Sequence, residues 1–301
     1  SSAASDVYKR QHFHVLIGGR RSIKEISMST FYNSERLKYN QMNYNNDVEL
    51  DNFCSQCLLV INAVGPSFKI NDKIALHALR NNCHYIDIGG YGILRDLLKP
   101  YEKSIEAQKL CFIIGVGWMP GISGVFSKTI IETHLNSPEN TNFNIYYGAV
   151  DNWSYSSTYD LAASSMGKTR SYVYSHGKEI QVSPFRYTHH KFFPFIGHKK
   201  ICMPSFDEQL TQLATSLKQI RKISTFIMLN DYISMGKFMF IKIFYKHNLN
   251  KATLMLQDDY QRLVKKENKW GSVICQVSKI EPERKIDTFY LSLIHISEPT
   301  R

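Results

Sequence analysis

The stretch "CLLVINAVGPSFKINDKIALHALRNNCHYIDIGG", Cys57 to Gly90, decides the fold. It opens with a continuous apolar run closed by Gly-Pro, which reads as a strand buried on both faces. "NDKIALHALRNN" (Asn71 to Asn82) then puts apolar residues at 74, 75, 76, 78 and 79, one helical face with Asn71 or Asp72 as cap. "CHYIDIGG" returns to a second apolar strand. Strand, helix and strand in succession predict a parallel unit.

The alternation continues in both directions. Upstream, "HVLIGG" reads as a strand, "LKYNQMN" (Leu37 to Asn43) as a short strand and "DVELDNFCSQ" as a brief helix. Downstream, "ILRDLLKPYEKSIEAQK" reads as a helix and "LCFIIGVG" (Leu110 to Gly117) as another strand. "PGISGVFSKTIIETHL" then gives a helix of roughly 15 residues by its periodicity. The predicted class is α/β with a doubly wound parallel sheet. In such sheets ligands bind at the carboxyl ends of the strands. Here those ends read "GGRR", "NAVGP", "DIGG" and "GVGWMPG", rich in the residue that lets backbone approach something closely.

Beyond this the texture changes. "NFNIYYGAV" (Asn142 to Val150) alternates as an antiparallel strand would, and "SYSSTYDLAASSMGK" suggests a serine-capped helix. "RSYVYSHGKEIQV" looks like a hairpin turning at His176 and Gly177. "QLTQLATSLKQI" is helical, and "GSVICQVSKIEPERKIDTFYL" is a strand, a turn and a strand. A mixed α+β second domain is expected.

The 301 residues carry a formal charge of +11, spread along the chain, with the densest clusters at His198–Lys200 and Leu263–Lys269. A scattered excess of this kind reads as a solvated surface rather than a nucleic-acid stripe, and it suits an anionic small-molecule substrate. Cys54 and Cys57 form one C-x-x-C without a second pair, so all 6 cysteines read as ordinary thiols in a reducing, cytoplasmic setting. No metal site is expected; "HH" at His189 and His190 has no matching ligand spacing and reads as an exposed loop. "FMFIKIFY" (Phe238 to Tyr245) is too short to span a bilayer; it reads as a buried helix or as a point of weak peripheral membrane contact. Residues 1–11 and 291–301 resemble translated sequencing-adapter read-through, and the expectation is a fragment with an artefactual tail at each end.

"LLVINAVGPS", "ALRNNCHYIDIGG" and "CFIIGVGWMPGISGVFSKTI", in that order and spacing, resemble the saccharopine dehydrogenase-like family of NAD(P)-binding oxidoreductases. The likeness covers about Val15 to Glu132 and continues only in outline through "SHGKEIQVSPFRY" and "FPFIGHKK". It implies a Rossmann-like domain over 12–121 and an α+β substrate or cover domain over 122–290, with hydride transfer at their junction. By this alignment "HVLIGGRR" is the second strand, and the spacing agrees: Gly19 lies 43 positions before Asn62, room for one strand-helix-strand-helix passage. The first strand and its glycine loop, which hold the pyrophosphate, are then expected to be missing.

Several residues become candidates on this reading. Arg20 and Arg21, with Gly19, fall beside the adenosine ribose, where arginine pairs with the 2′-phosphate of NADP and an acid would favour NAD. Neither Asp nor Glu occurs between Leu16 and Lys24, so NADP is expected over NAD. Asn62, Ala63, Val64, Gly65 and Pro66 are expected beside the nicotinamide side, and Gly115 and Gly117 at the last strand end. Asp87 is the candidate catalytic carboxylate, to orient substrate or relay a proton, with capping as its plainer alternative. Trp118, Met119 and Pro120 would form a wall, and the helix starting at Gly121 would offer its amino terminus to an anion. Tyr159, Arg170, Arg186, Tyr187, His189 and His190 are candidates for a carboxylate-bearing substrate. The expected activity is NADP(H)-dependent oxidoreduction of an amino-acid conjugate or a lipid-like molecule. The alternatives are a non-catalytic scaffold of the same fold and a peripheral membrane reductase.

Overall fold

The computed structural model describes residues 14–22, 36–90, 92–134, 138–166, 171–245, 247–279 and 286–292. They divide into two compact units, one ending with Ile70–Ile114 and the other made of Val64–Lys69 and the chain from Gly115 onward. The division falls at Ile114 and Gly115, and "VGPSFK" goes with the second unit.

In the first unit, β1 (Val15–Gly19) pairs in parallel with β2 (Leu37–Gln41). Helix α1 (Asp47–Cys54) starts at Asn46, whose side chain accepts from the Val48 and Glu49 amides while Glu49 reaches back to the Asn43 amide. These reciprocal bonds satisfy the donors a helix start leaves open. Next come β3 (Leu59–Asn62), α2 (Ser67–Ile70), whose first three residues belong to the second unit, α3 (Lys73–Arg80), β4 (His84–Asp87), α4 (Gly92–Leu98), α5 (Glu102–Ala107) and β5 (Phe112–Ile114). Strands β3, β4 and β5 form a second parallel sheet, with Asn62 opposite Asp87. The single helix expected over 93–109 is two, because Pro100 sits in the short turn Lys99–Tyr101 between them. The strand expected over 110–117 stops at Ile114, since Gly115 turns to a φ of +69°.

The first unit is therefore Rossmann-like, in two pieces. In a doubly wound sheet β1 and β2 would lie on one side of a central strand, and β3, β4 and β5 on the other. That is the arrangement expected when "HVLIGG" takes the second position. Among the described residues β1 and β3 each pair along one edge only, and Val15, Ile17, Leu59 and Ile61 are exposed on them.

The second unit is built on one eight-stranded mixed sheet. Helix α6 (Ile122–His134) leads to β6 (Thr141–Val150), α7 (Tyr155–Met166), the hairpin β7 (Ser171–Ser175) and β8 (Lys178–Val182), and α8 (Pro184–Tyr187). Then follow β9 (His189–Phe193), β10 (His198–Pro204), α9 (Glu208–Ser216), β11 (Lys222–Leu229), α10 (Tyr232–Phe244), α11 (Leu249–Val264), β12 (Trp270–Lys279) and β13 (Ile286–Ser292). The hairpin turns at His176 and Gly177, both at positive φ. Strand β13 runs two positions into the stretch read as a tail.

The sheet order is β13-β12-β6-β11-β10-β9. Strand β6 is a central strand, antiparallel to β12 as expected but parallel to β11, so both of its edges are paired. Alternation sorts the residues. Phe143, Ile145, Ile223, Val273 and Cys275 form one core with Ile130 and Ile131 of α6, Leu210 of α9, Phe238 and Ile241 of α10 and Leu256 of α11. Tyr146, Phe226, Met228 and Ile274 point the other way, where Tyr146 stacks on Phe226 at 5.1 Å. Strand β11, "KISTFIML", gives no clear sign in the sequence: it is apolar without alternation and lies between two helices. The "HH" pair opens β9 and is not a loop.

Candidate functional site

In the first unit the candidate residues gather at the carboxyl ends of β1, β3 and β4. Strand β1 ends in two glycines because its neighbours leave no room: a Cβ on Gly18 would meet Met42 and Phe53 at 2.9 Å, and one on Gly19 the Tyr39 hydroxyl at 2.9 Å. Strand β2 then holds the turn that follows. Tyr39 donates its hydroxyl to the Arg21 carbonyl at 2.7 Å, and Gln41 Nε2 donates to the Arg20 carbonyl at 3.3 Å. The backbone of both arginines is thus anchored while both residues stay exposed to solvent. Two cations fixed at a strand end form a ready partner for phosphate.

At the ends of β3 and β4 lies a buried polar cluster. Asp87 is 2 % exposed, and its Oδ2 accepts from Asn62 Nδ2 at 2.7 Å and from the Tyr85 hydroxyl at 2.6 Å. Its Oδ1 accepts from the Gly90 amide, and a Cβ on Gly90 would stand 2.9 Å from that oxygen. Asn62 Nδ2 also donates to the Tyr85 hydroxyl at 3.1 Å, and the Ile88 amide donates to the Asn62 carbonyl. Burial, and after it the Asp87 charge, pushes the Tyr85 hydroxyl well above its ordinary value, so it remains a donor. Both oxygens of Asp87 are therefore engaged. This chemistry holds the Ile88–Gly90 turn and fixes the Asn62 amide.

The C-x-x-C thiols lie away from these strand ends. Cys54 is buried and Cys57 half-buried, and burial pushes the Cys54 thiol up to about 12, against thiolate chemistry. Cys83 joins them, its thiol donating to the Cys54 and Cys57 carbonyls.

Val64, Gly65, Pro66, Gly115 and Gly117 belong to the second unit, where the chain itself accounts for their backbone. A Cβ on Gly65 would meet Ser156 of α7 at 2.8 Å. Asp160, also on α7, accepts from the amides of Ser67 at 2.9 Å and Phe68 at 3.2 Å, so a carboxylate already caps α2. Lys69 lies over the Tyr159 ring, 4.4 Å from its centroid, and 5.4 Å from that of Tyr155. This contact joins Tyr159, a sequence candidate, to the "VGPSFK" segment. Lys69 itself gives no sequence signal, since a lone lysine in a short turn resembles any solvated one.

The turn from Gly115 to Gly121 closes tightly. Gly121, at a φ of +131°, bridges to Gly117, and a Cβ there would strike the Gly117 carbonyl. The amino end of α6 is spent within the protein: the Gly121 amide donates to Gln209 at 2.8 Å, and those of Ile122 and Ser123 to the Gly117 and Trp118 carbonyls. The anion expected there has no donors left to meet. Trp118 packs edge-on against Trp153, which stacks on Tyr260 at 4.6 Å.

The remaining candidates do not converge on one point. Tyr187 lies under Lys222, 4.8 Å from ring centroid to Nζ, and its carbonyl contacts His189 Nδ1. The His189 ring sits edge-on to Phe226, whereas His190, the next residue along β9, shares a hydrogen bond with the Tyr232 hydroxyl at 2.8 Å. Arg186 is exposed on α8, and Arg170 lies outside the described residues. Among the described residues no group of three or more His, Cys, Asp and Glu side chains is placed to hold a metal.

No protein-family model and no curated protein matches the chain in sequence. Solved structures do match it in fold. Saccharopine dehydrogenase (L-Glu forming) from Saccharomyces cerevisiae superposes with a TM-score of 0.61 at 14 % identity, over 97 % of this chain and 82 % of that one. A mutant meso-DAP dehydrogenase from Clostridium tetani aligns over 96 % of this chain and 78 % of its own, with a TM-score of 0.39 at 11 % identity. The architecture of this chain is thus the one seen in yeast saccharopine dehydrogenase, a Rossmann-like parallel sheet followed by a mixed α+β unit.

Proposed function

We propose that the protein is an oxidoreductase of the saccharopine dehydrogenase-like type that uses NADP(H) and acts on an anionic small molecule. The observation that carries this reading is the Arg20–Arg21 pair. It is exposed at the carboxyl end of β1 with its backbone tied to Tyr39 and Gln41, in a strand end without an acid. Gly19, Arg20 and Arg21 would hold the adenosine 2′-phosphate, and Asn62 and Ala63 would border the cofactor at the end of β3. The cofactor supplies the hydride chemistry when bound; the residues of this chain bind and orient. Asp87, closed by three donors, acts as a positioning residue for Asn62 and the Ile88–Gly90 turn. The net charge of +11 supports an anionic substrate.

The test is the ratio of NADPH to NADH affinity, read by quenching of protein fluorescence. A charge-assisted arginine–phosphate contact contributes about 1.5–3 kcal/mol, so NADPH binds roughly 10- to 100-fold more tightly than NADH. Replacing both arginines (R20S/R21S) abolishes the preference and leaves NADH binding in place. Equal affinities in the unaltered protein would refute the NADP assignment. Absence of turnover with NADPH across amine and 2-oxo-acid pairs, despite tight binding, would favour a scaffold role instead.

A further inference from the structure

Helix α10 turns an apolar stripe outward. Its inward residues Ser234, Phe238 and Ile241 are buried on the sheet. At helical spacing the outer stripe reads Ile233, Gly236, Phe240, Ile243 and Phe244. Ile243 is 65 % and Phe244 66 % exposed, and the Phe240 and Phe244 rings lie together at 4.5 Å on the surface. Helix α11 continues the patch. The Lys237–Asp258 pair at 2.9 Å sets the two helices side by side, and Leu254, one turn away from Asp258, is exposed as well. A helix whose outer stripe only meets water carries polar residues there, and a contiguous exposed apolar patch marks a contact surface.

The charges select the partner. From Tyr232 to Lys251 the sequence holds Lys237, Lys242, Lys246 and Lys251 and no Asp or Glu. The acids packed around the two helices are already engaged: Asp258 and Asp259 pair with Lys237, and Asp231 and Asp259 with Arg262. With Lys242 and Lys251 the named groups are three carboxylates against four cations, one positive charge in excess. Lys242 is half-buried, its Nζ 5.1 Å from the ring centroid of the inward Phe238, whereas Lys251 at the start of α11 is exposed. A second copy offering the same face would set lysine against lysine. An anionic bilayer offers acyl chains to the phenylalanines and negative headgroups to the lysines.

We infer that α10 is a membrane-surface helix, seating Ile233, Phe240, Ile243 and Phe244 in the outer layer of an anionic leaflet with its axis in the membrane plane. No helix among the described residues is long and apolar enough to cross a membrane, so α10 binds by lying on the leaflet. The test is co-sedimentation of the full chain with phosphatidylcholine vesicles, with and without phosphatidylserine, at low and high salt. The protein pellets with phosphatidylserine vesicles at low salt, and binding falls about tenfold on phosphatidylcholine alone. The exposed-face variant F240S/F244S stays in the supernatant with an unchanged circular dichroism spectrum, and Lys251→Glu binds more weakly. Pelleting that is absent at low salt, or undiminished in F240S/F244S, would overturn the inference. So would a dimer in sedimentation equilibrium that F240S/F244S converts to monomer while neither protein binds vesicles.

Discussion

Replacing Asp87 by leucine removes the acceptor on which the ends of β3 and β4 depend. Three donors lose their partner: Asn62 Nδ2 at 2.7 Å, the Tyr85 hydroxyl at 2.6 Å and the Gly90 amide. Each buried donor left unpaired costs about 1–3 kcal/mol. Tyr85 recovers part of its share, because Asn62 lies 3.1 Å from its oxygen. Leucine also spares the cost of burying a carboxylate, which offsets a further part. The expected net loss is about 3–5 kcal/mol, the range for breaking a buried charged network. Asp87→Asn keeps one acceptor but must turn its amide hydrogens toward either Gly90 or the Tyr85–Asn62 pair, and costs about 2 kcal/mol. Urea unfolding followed by circular dichroism gives the two losses, and hydrogen exchange at the Gly90 amide locates them. A loss below about 1 kcal/mol for Asp87→Leu, with the Gly90 amide still protected, would refute the reasoning.

Two further outcomes follow. Gly121→Ala, at a φ of +131° and with its Cβ driven into the Gly117 carbonyl, destabilises the second unit by more than about 2 kcal/mol; thermal unfolding checks this, and an unchanged midpoint would count against the described turn. Burial pushes the Asp231 carboxyl up, but hydrogen bonds from Arg262 and Ser234 outweigh it and hold the group at about 2. A depressed carboxylate contributes stability that is complete above its unfolded value near 4 and is lost as pH falls through about 2. Because Asp231 is 35 % exposed, solvent screening limits the contribution to about 1 kcal/mol. In Arg262→Met the loss of stability between those two pH values flattens, as measured by urea midpoints down the acid limb.

The fold of the first unit was legible because β1, β3 and β5 are largely apolar and the helix α3 is bounded by clear signals, Gly-Pro after β3 and Asn71–Asp72 at its start. The second unit was legible only in parts. A two-residue turn such as His176–Gly177 announces a hairpin, whereas β11 lies between helices and β6 joins one neighbour in parallel and the other antiparallel. Pairing of that kind is set by contacts between residues far apart in sequence. Among the candidate residues, the arginine pair was legible by its position at a strand end. The saturation of Asp87 was not, because it depends on Tyr85 two residues earlier and Asn62 across the sheet. The glycines misled in one respect. Gly18, Gly65 and Gly121 do permit close approach, but what approaches is Phe53, Ser156 and the Gly117 carbonyl.

The edges of β1 and β3 that carry no partner among the described residues bear on how the chain behaves when it is made and stored. Val15 and Ile17 on one strand and Leu59 and Ile61 on the other are apolar, and neither strand carries a charge or a proline to discourage further pairing. Such edges template strand addition from any extended chain nearby, including partly folded copies of the same protein. Yield on refolding should therefore fall steeply with protein concentration, with the first unit seeding the aggregates. Chaperone demand would track the first unit for the same reason, and a lysine placed at Ile61 would be the simplest gatekeeper to relieve it.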